Sequence, residues 1–530
     1  MNNKLFLCAA LLLAGCANSV APQQGGGMMN GGGMMNGGGV QGDASATFLP
    51  GAQVDPSTLP AAKASEALSV TDGQTITLTA GLVRTTVNGH TVVMYAYNGE
   101  VPGPSIEAKQ GTSFHVHFVN NIDLPTTVHW HGLRLDSASD GVPTDEHPAV
   151  EPGGSTDYTL RVPDEGVFWY HTHVREDVEQ NMGLYGSILV SPTKTDAYAP
   201  VNATETVLLN DLLMGSDGVV PFGQEKADHV LMGRFGNTPF INGATSYEAN
   251  FPQGSVVRFN FVNVANARPL KLTFSNAKMK LVGGDNGRYE HEQFVDSVII
   301  GPSERTTVDV LFATSGVSTF ASTTPAGTTE LGSVTVGAAK ASPSYATEFQ
   351  QLRTNVDVIA DIDSFRSSFD KVPDETLHLV STIPAMHQMM HGMDMTGSDG
   401  IEWEDSMEMM NAQSNKSNTQ WKMIDEATKA VNDQIHYNFK LGDKVKIRIV
   451  NDTDTDHQMS HPIHFHGNRF LVLSDNGTAN TNLVWKDSAL IPTGHTVDIL
   501  LEASNPGDWM FHCHIAEHLE GGMMGLFTVQ

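Results

Sequence analysis

The sequence predicts an all-β protein made of three copies of one β-sandwich module in series, and two observations support this prediction. First, three segments begin with Gly, continue with apolar residues at strand period and reach Asn nine positions later; they are GTSFHVHFVN from Gly111, GSVVRFNFVN from Gly254 and GDKVKIRIVN from Gly442. Second, each copy continues with the same three segments: a turn and strand that begin with Pro, a strand that begins with Gly, and a closing strand. These segments begin at Pro152, Gly166 and Gly186 in the first copy, at Pro302, Gly316 and Gly332 in the second, and at Pro492, Gly507 and Gly525 in the third. Short alternating strands between Gly and Pro turns are typical of β-sandwiches and Greek-key barrels.

The repeats also set the predicted domain boundaries. We expect a first domain over residues 65–198, a second over 199–345 and a third over 346–530. Helical periodicity is scarce, and the exception that we expect is a short helix over residues 425–432, DEATKAVN.

The first residues indicate an exported lipoprotein. Lys4 precedes a short apolar run, which is typical of a secretory signal over residues 1–15, and Leu13-Ala14-Gly15-Cys16 looks like a bacterial lipoprotein cleavage box. We therefore expect membrane attachment through lipid on Cys16, a flexible Gly- and Met-rich tether over residues 16–64, and a periplasmic or outer-membrane location in a bacterium. Four methionines of the tether are either incidental to a spacer or thioether ligands for Cu(I): Met28, Met29, Met34 and Met35.

Charge and cysteine content exclude several classes of protein. The 530-residue chain has 30 Lys and Arg against 59 Asp and Glu, a formal net charge of −29, so it lacks the basic surface of a nucleic-acid-binding protein. The three cysteines are Cys8, Cys16 and Cys513, and they cannot form a disulfide framework because the first leaves with the signal and the second is expected to carry lipid. One remaining thiol among 22 histidines and 23 methionines indicates soft-metal chemistry.

Histidines are concentrated in the first and third copies of the module. Four His-x-His pairs each place two imidazoles on one side of a strand: His129 and His131, His171 and His173, His464 and His466, His512 and His514. At the places that match them, the second copy has Ala321-Ser322-Thr323 and the stretch PLKLTF from Pro269, which contain no histidine. Eight imidazoles exceed what one ion needs, so we expect a polynuclear site shared by the first and third domains, with the second domain as a spacer or wall. Imidazole suits copper, zinc, iron or nickel.

A second set of ligands surrounds Cys513. In a strand this residue points to the side opposite to His512 and His514. His518 follows five residues later, Met523 follows five after that, and His461 belongs to the neighbouring histidine cluster. Two His, one Cys and a weak axial Met are the ligands of a blue-copper electron-transfer site.

These motifs resemble those of the multicopper oxidases, the family of laccases and bacterial cuprous oxidases. The resemblance rests on HWHG at His129, HTH at His171, HPIHFHG at His461 and HCHIAEHLEGGM from His512, and it covers the chain from about Leu68. It implies three cupredoxin-like Greek-key domains and four copper ions: a type 1 copper held by His461, Cys513, His518 and Met523, a type 2 copper held by His129 and His464, and a type 3 pair held by His131, His171, His173, His466, His512 and His514. It also implies the family reaction, in which four single electrons from a reductant reduce O2 to two waters.

The reaction consumes protons, so carboxylates near the histidines are candidate catalytic residues. Asp140, in the turn Asp-Gly-Val-Pro, resembles the family carboxylate near the type 2 copper and is a candidate proton donor or relay. Many bacterial relatives have a second carboxylate directly after the last type 1 histidine, where this chain has Leu519. We expect Glu517 or Glu520 to substitute for it.

A Met-rich insert over residues 384–412 of the third domain bears on the reductant. Part of it follows helical spacing, so one interpretation is an apolar helix face, but its histidines, acids and Gly/Ser/Asp centre favour an exposed insert that gathers Cu(I). Bacterial cuprous oxidases are similar in carrying such an insert, and Met459 matches their substrate-copper site, whereas His457 stands where they have an acid. The candidate ligands of substrate copper are Met386, Met389, Met390, Met393, Met395 and Met459.

We therefore expect a monomer that oxidises Cu(I) to Cu(II) with O2 for copper tolerance, and the acidic net charge favours a cationic reductant. Two alternatives stay open: a laccase that oxidises phenols or other small aromatics, and a copper-sequestering lipoprotein. A copper nitrite reductase is disfavoured, because such proteins resemble two-domain chains with the blue-copper Cys in the first domain, where this chain has Thr172.

Overall fold

The computed structural model describes residues 47–384 and 399–530, and within these ranges the protein consists mainly of β-strands. Six sheets of four to six strands form three pairs, and each pair takes its strands from one continuous part of the chain. Apolar residues from both sheets of a pair meet in one buried core, so the chain folds as three successive sandwiches. The predicted all-β fold of three cupredoxin-like domains is confirmed, whereas the predicted domain boundaries stay predictions.

The first sandwich packs a five-stranded sheet against a four-stranded sheet. In sheet order the five strands are Ala67–Ser69, Ser105–Lys109, Tyr185–Ser191, Gly166–His171 and His129–His131, and the four strands are His90–Tyr97, Thr75–Val87, Ser113–Asn120 and Ser155–Arg161. The strand Ser113–Asn120 shows why its sequence forms such a sheet: its even-numbered apolar residues are buried, while His115 and His117 face outward and contact Thr159 and Asp157.

The second sandwich pairs a six-stranded with a five-stranded sheet. The six strands are Thr238–Ile241, Ala203–Leu212, Ser255–Asn263, Arg305–Phe312, Lys278–Gly284 and Gly287–Val295, and the five are Tyr247–Gln253, Gly327–Lys340, Gly316–Thr324, Leu270–Phe274 and Val298–Ile300. All eight residues of Arg305–Phe312 are buried, so this strand has no face in water.

The third sandwich has the same layout. Its six strands are Gln420–Asp425, Glu375–Thr382, Lys444–Asn451, Thr496–Glu502, Arg469–Asp475 and Thr478–Ala479, and its five are His436–Phe439, Met524–Val529, Gly507–Cys513, His461–Phe465 and Ser488–Ile491. Its core also takes in Val230, Leu231 and Met232 of the second domain, so that the two domains share apolar contacts.

The remaining elements are short. Two-stranded sheets pair Thr47–Phe48 with Phe222–Gly223 and Met214–Gly215 with Gly218–Val219. The α-helices are Glu176–Glu179, Ala346–Phe349, Val356–Asp363, Glu408–Asn411 and Ala516–Glu520, and the 3₁₀ turns are Pro56–Thr58, Ser137–Ser139, Arg366–Ser368 and Asn432–Gln434. Among the described residues, none of the helices has the length and apolar character that crossing a membrane requires.

The expected helix over residues 425–432 is wrong. A strand ends at Asp425, the chain turns through Lys429 at φ 63°, and a 3₁₀ turn begins only at Asn432. The Asp425 carboxylate accepts hydrogen bonds from the backbone N–H and the hydroxyl of Thr428, and this side-chain capping stabilises a turn instead of a helix.

Strand register brings the His-x-His pairs side by side. In the first domain His129 lies opposite His171, and in the third domain His464 lies opposite His512 and Ile463 opposite Cys513. The matching strands of the second domain pair Leu272 with Ser322. The same sheet edge therefore carries ligand-type residues in the outer two domains and apolar or hydroxyl residues in the middle one.

Candidate metal centre

The four His-x-His pairs meet where the first and third domains face each other. The rings of His131 and His464 stack with centroids 3.7 Å apart, and those of His129 and His466 lie 4.2 Å apart. Each of these ring pairs joins one domain to the other. The prediction that both domains contribute to one cluster thus agrees with the placement of the side chains.

The ligand-type nitrogens sort the cluster into smaller groups. In each group the nitrogens lie within 4.8 Å of one another: the groups are His131, His171 and His514; His173, His466 and His512; and His129, His131 and His464. The Nε2 atoms of His466 and His512 are 3.0 Å apart. Two triplets that draw on both domains, with two further rings beside them, form a polynuclear donor set.

Hydrogen bonds at one ring nitrogen leave the other nitrogen free. A carbonyl oxygen can only accept, so the imidazole nitrogen that it contacts must carry the proton. The Nδ1 atoms of four rings donate to carbonyl oxygens in this way: His129 to Asp140 at 2.7 Å, His171 to Thr172 at 2.7 Å, His464 to Asp487 at 2.8 Å and His512 to Cys513 at 2.9 Å. Such outer contacts fix the tautomer of metal-binding histidines.

Many other ring nitrogens of the cluster are buried and find no hydrogen-bond partner among the described residues. They include Nε2 of His129, His171, His173 and His464, Nδ1 of His131 and both nitrogens of His514. A buried polar atom without a partner is costly, so a cluster of them indicates a bound group that supplies the missing contacts.

Burial also favours the neutral form of seven of the rings, which is the form that binds metal. It lowers the pKa of His466 to about 3, and it lowers the pKa values of His131, His171, His173, His464, His512 and His514, where neighbouring rings add to the effect. Neutral imidazoles with buried lone pairs fit copper.

A separate sulfur-containing triad lies around Cys513. Its Sγ atom is 3.5 Å from Nδ1 of His461 and 3.7 Å from Nδ1 of His518. Met523 is fully buried in the same core, and its carbonyl oxygen accepts a hydrogen bond from the backbone N–H of Cys513. Burial raises the pKa of the Cys513 thiol, so a bound cation is needed to hold the thiolate.

The two donor sets are joined through the backbone. His512 and His514 belong to the histidine triplets, whereas Cys513, between them in sequence, belongs to the triad. This follows from strand geometry, because alternate residues point to opposite sides.

Trp421 and a loop of the second domain cover the triad. The Trp421 ring lies 4.7 Å from His461 and 4.5 Å from His518 between centroids, and its Nε1 donates to the Val230 carbonyl at 2.7 Å. As a result, both histidine rings are buried.

Sequence reasoning missed Met232, which lies in this loop. Its Sδ atom is 2.9 Å from Nε2 of His457, and burial lowers the pKa of His457 to about 4. Nδ1 of His457 is buried without a partner among the described residues. No sequence signal could have found Met232, because the second domain lacks the His-x-His pattern.

The candidate carboxylates have different surroundings. Asp140 reaches the cluster: its Oδ2 accepts from Nδ1 of His466 at 2.8 Å. Burial raises the pKa of Asp140, but the rings of His466 and His129 lower it by a larger amount, so the net shift is downward. Gly141 follows at φ 84°, and a Cβ there would lie 1.9 Å from the Val128 carbonyl oxygen, which explains the Asp-Gly turn.

Glu517 contacts the second domain, whereas Glu520 lies near Asp177 of the first domain. Glu517 accepts from Nδ2 of Asn266 at 2.9 Å, and burial raises its pKa to about 8. Burial and the nearby Asp177 raise the pKa of Glu520 to about 7. A carboxylate that sequence reasoning missed, Glu176, lies closer to the cluster, with Oε1 3.2 Å from Nδ1 of His173.

The predicted substrate-copper ligands fall in two places, the insert and the segment before His461. Met386, Met389, Met390, Met393 and Met395 lie outside the described residues. The described end of the insert is attached to the covering loop, since Asn411 accepts from the backbone N–H of Met232 at 2.9 Å and donates to the Gly233 carbonyl at 2.8 Å. Met459 is buried, and its carbonyl accepts from Nδ2 of Asn451.

Comparison with known proteins agrees with this site. Sequence models of the multicopper oxidase family match residues 80–195, 169–345 and 401–530. The chain is similar to the multicopper oxidase mco of Staphylococcus epidermidis, with 24% identity over 82% of this chain and 83% of that protein. It is also similar to a laccase of Neurospora crassa, with 24% identity over 81% of this chain and 73% of that one.

Two further similarities are to a copper resistance protein and to a solved structure. Copper resistance protein A of Pseudomonas syringae is 32% identical over 172 residues, which is 32% of this chain and 28% of that protein. The structure of a multicopper oxidase from Campylobacter jejuni, described as a metallo-oxidase, shares the fold with a TM-score of 0.68 at 23% identity, over 90% of this chain and 97% of that one. Together with the clustered histidines and the Cys-centred triad, the three matching models show that the chain belongs to the multicopper oxidases, a family of copper-dependent oxidoreductases that use O2.

Proposed function

We propose that this enzyme oxidises Cu(I) to Cu(II), passes the electrons to O2 and thereby supports copper tolerance. The observation that carries the proposal is the surroundings of His461 and His518. Both rings are buried under Trp421, and beside them lies a contact between an imidazole and a thioether, His457 and Met232. Imidazole and thioether donors suit a soft cation. An aromatic reductant would instead need access to the edge of the His461 or His518 ring. The similarity to copper resistance protein A supports the proposed role in copper tolerance.

We propose four copper ions. The triad of Cys513, His461 and His518, together with the buried Met523, would hold the type 1 copper. His129 and His464 would hold the type 2 copper, and the triplets His131, His171, His514 and His173, His466, His512 would each hold one type 3 copper. The chemistry that copper supplies when bound is one-electron transfer from the reductant and four-electron reduction of O2 to water.

The protein residues have three tasks in this scheme. The backbone carbonyls of Asp140, Thr172 and Asp487 hold imidazoles with one nitrogen free. The Cys513 backbone links the two donor sets covalently. Asp140, Glu517 and Glu520 are the proposed carboxylates that hold or deliver protons, and Asp140 is the one whose contact with a cluster imidazole supports the role.

We also propose that Met459 and the five methionines from Met386 to Met395 gather substrate copper, whose electron then passes to the triad. Met232 and His457 would be the last donors on that route, since Trp421 lies 5.9 Å from the His457 ring and contacts both triad imidazoles.

The test compares Met232→Leu, which keeps the volume and removes the sulfur, with Met232→Ala, which also opens the cover. Oxygen uptake is measured with Cu(I) and with a phenol. For Met232→Leu we expect kcat/KM for Cu(I) to fall about 10-fold or more with the phenol rate unchanged, because loss of a metal-site contact typically costs about 10–100-fold. For Met232→Ala we expect the phenol rate to rise as well.

Met94→Leu, a substitution in the buried core of the first domain, is the matched control and should leave both rates unchanged. Cys513→Ser should abolish both rates together with the blue absorption of the type 1 copper. Unchanged Cu(I) kinetics in Met232→Leu, combined with a faster phenol reaction in the wild type, would instead support the laccase activity that the similarity to a laccase suggests.

The sequestration alternative makes a different prediction. A copper-storing protein needs ligands but no turnover, so His512→Ala would leave cellular copper tolerance intact. We expect tolerance to be lost.

We further propose that the chain acts as a monomer, is exported and carries lipid on Cys16, a residue outside the described ranges. Cys16→Ala should then release the protein from membranes into the soluble periplasmic fraction.

A further inference from the structure

A single arginine of the second domain lies between the two domains that carry the histidines. Arg305 begins the fully buried strand Arg305–Phe312 and is itself buried. Its Nη1 donates to Oδ1 of Asp487 at 2.6 Å, and its Nη2 donates to Oδ2 of the same carboxylate at 2.5 Å. Asp487 belongs to the third domain and is also fully buried. The two residues therefore form a bidentate ion pair across a domain boundary.

Asp487 in turn contacts two cluster histidines. Its Oδ1 accepts from Nε2 of His131 at 3.0 Å, and its carbonyl oxygen accepts from Nδ1 of His464 at 2.8 Å. The proton of His131 is thus held on Nε2, and the buried Nδ1 is left with its lone pair. One residue, held by Arg305, orients an imidazole from each of the two ligand-bearing domains.

The remaining donors of Arg305 fix its orientation. Nε donates to the Val167 carbonyl of the first domain at 2.8 Å, Nη1 to the Ser303 carbonyl at 3.2 Å and Nη2 to Oδ1 of Asn286 at 3.2 Å. All five N–H groups of the guanidinium are therefore used. Because the planar fork cannot rotate without breaking several of these bonds, the carboxylate of Asp487 is held in one orientation.

A glycine of the first domain reflects the same constraint. Gly132, the last residue of the HWHG motif, has φ 82°, and a Cβ on it would lie 2.3 Å from Oδ2 of Asp487 and 2.8 Å from Nη2 of Arg305. The motif therefore leaves room for the ion pair beside His131.

We infer that Arg305 is a positioning residue of the trinuclear copper site: through Asp487 it sets the tautomer of His131 and the place of His464. The inference rests on the proposed assignment of these histidines as copper ligands. It gives the second domain, which contributes none of the proposed trinuclear ligands, a positioning part in the site instead of the expected role as a spacer or wall.

The test is Arg305→Lys, which keeps the charge and removes the fork, in the copper-loaded full-length enzyme. We expect an altered type 2 electron paramagnetic resonance spectrum, less trinuclear copper per chain and an O2 turnover lower by about 10–100-fold, with the blue type 1 absorption unchanged. The matched control is Arg288→Lys, since the buried Arg288 also pairs with carboxylates of two other domains, Glu165 and Asp357, but within the described ranges forms no hydrogen bond or ion pair with Asp487.

If the ion pair of Arg305 is merely structural, both variants should have a lower unfolding temperature, but Arg305→Lys should keep the type 2 spectrum and copper content of the wild type. That result would overturn the inference. If Arg305→Lys does not fold, Asp487→Asn takes its place with the same expected and overturning spectra.

A measurement without copper separates this inference from the copper assignment. In the copper-free full-length protein with ¹⁵N-labelled histidine, His131 should be an Nε2–H tautomer in the wild type and lose that preference in Arg305→Lys. An unchanged His131 tautomer in the variant would overturn the positioning role whether or not the wild type binds copper. A wild type that shows the tautomer but binds no trinuclear copper would overturn the proposed function alone.

Discussion

Asp140 contacts two histidines through different atoms. Its carbonyl oxygen accepts from His129, and its carboxylate accepts from His466, which comes from the third domain. The sequence predicted this residue through its motif and its turn, but not the contact with His466, which lies 326 positions away along the chain. A buried carboxylate in this place stabilises the proton on Nδ1 of His466 and leaves Nε2 to face the cluster.

Asp140→Asn should lower the turnover of O2 by about 10–100-fold, because the amide keeps the shape of the side chain but not its charge. The blue absorption of the type 1 copper should not change. Steady-state oxygen uptake with a saturating reductant measures the effect. The matched control is Asp157→Asn, since Asp157 is exposed and pairs with the outward-facing His117. Equal turnover in wild type and Asp140→Asn would show that the contact has no catalytic consequence.

At the level of single elements, the strand His129–His131 and the turn after it show how the sequence encodes the site. Alternation within the strand is visible in the sequence and places both imidazoles on one side. A glycine after such a strand can be required by a positive φ or by the close approach of another group. Gly132 shows both, since its φ is 82° and the side chains of Asp487 and Arg305 lie where a Cβ would be.

Gly132→Ala should destabilise the protein by more than the strain of a positive φ alone, which is on the order of 1–3 kcal/mol. The control is Gly89→Ala: this residue has φ 84°, but a Cβ there would meet nothing within 4 Å. The difference between the two variants in free energy of unfolding therefore measures the clash with Asp487. If both lose the same amount, the space beside His131 is less restricted than the structure indicates.

Across the whole molecule, the interior contains buried titratable groups whose effects on stability have opposite signs. Burial lowers the pKa of His457 to about 4 and raises that of Glu402 to about 7. In the unfolded chain His457 binds a proton below its ordinary pKa of 6.5, whereas in the folded protein it binds one only below about pH 4. The free energy of unfolding therefore decreases as the pH falls from 6.5 to 4. Glu402 is the reverse case: stability is lost as pH rises above 4.5, because the unfolded chain ionises first.

Paired substitutions in the copper-free protein test these signs. Relative to the wild type, His457→Gln should gain about 2 kcal/mol in free energy of unfolding between pH 7 and pH 5. Glu402→Gln should lose about the same free energy of unfolding relative to the wild type over that interval. The reason is that Glu402 destabilises the wild type at pH 7, so the variant gains most from its removal at that pH. Denaturant unfolding at both pH values gives the comparison, and His115→Gln, at an exposed site, is the control. Parallel behaviour of the two buried-site variants would contradict the assigned directions.

The sequence by itself determined the repeated β-modules, the His-x-His pairs and the Cys-centred ligand set, because strand alternation and short ligand spacings are local properties that the chain shows directly. The resemblance of the Asp-Gly-Val-Pro stretch to the family motif also located Asp140. Only the tertiary structure decided which rings form which triplet, placed Met232 beside His457 and Glu176 beside His173, and joined Arg305 to Asp487. Arg305 and Asp487 are 182 positions apart, and Met232 and His457 are 225 apart. Contacts at such separations depend on how three sandwiches pack against one another, and no local pattern in the sequence specifies that packing.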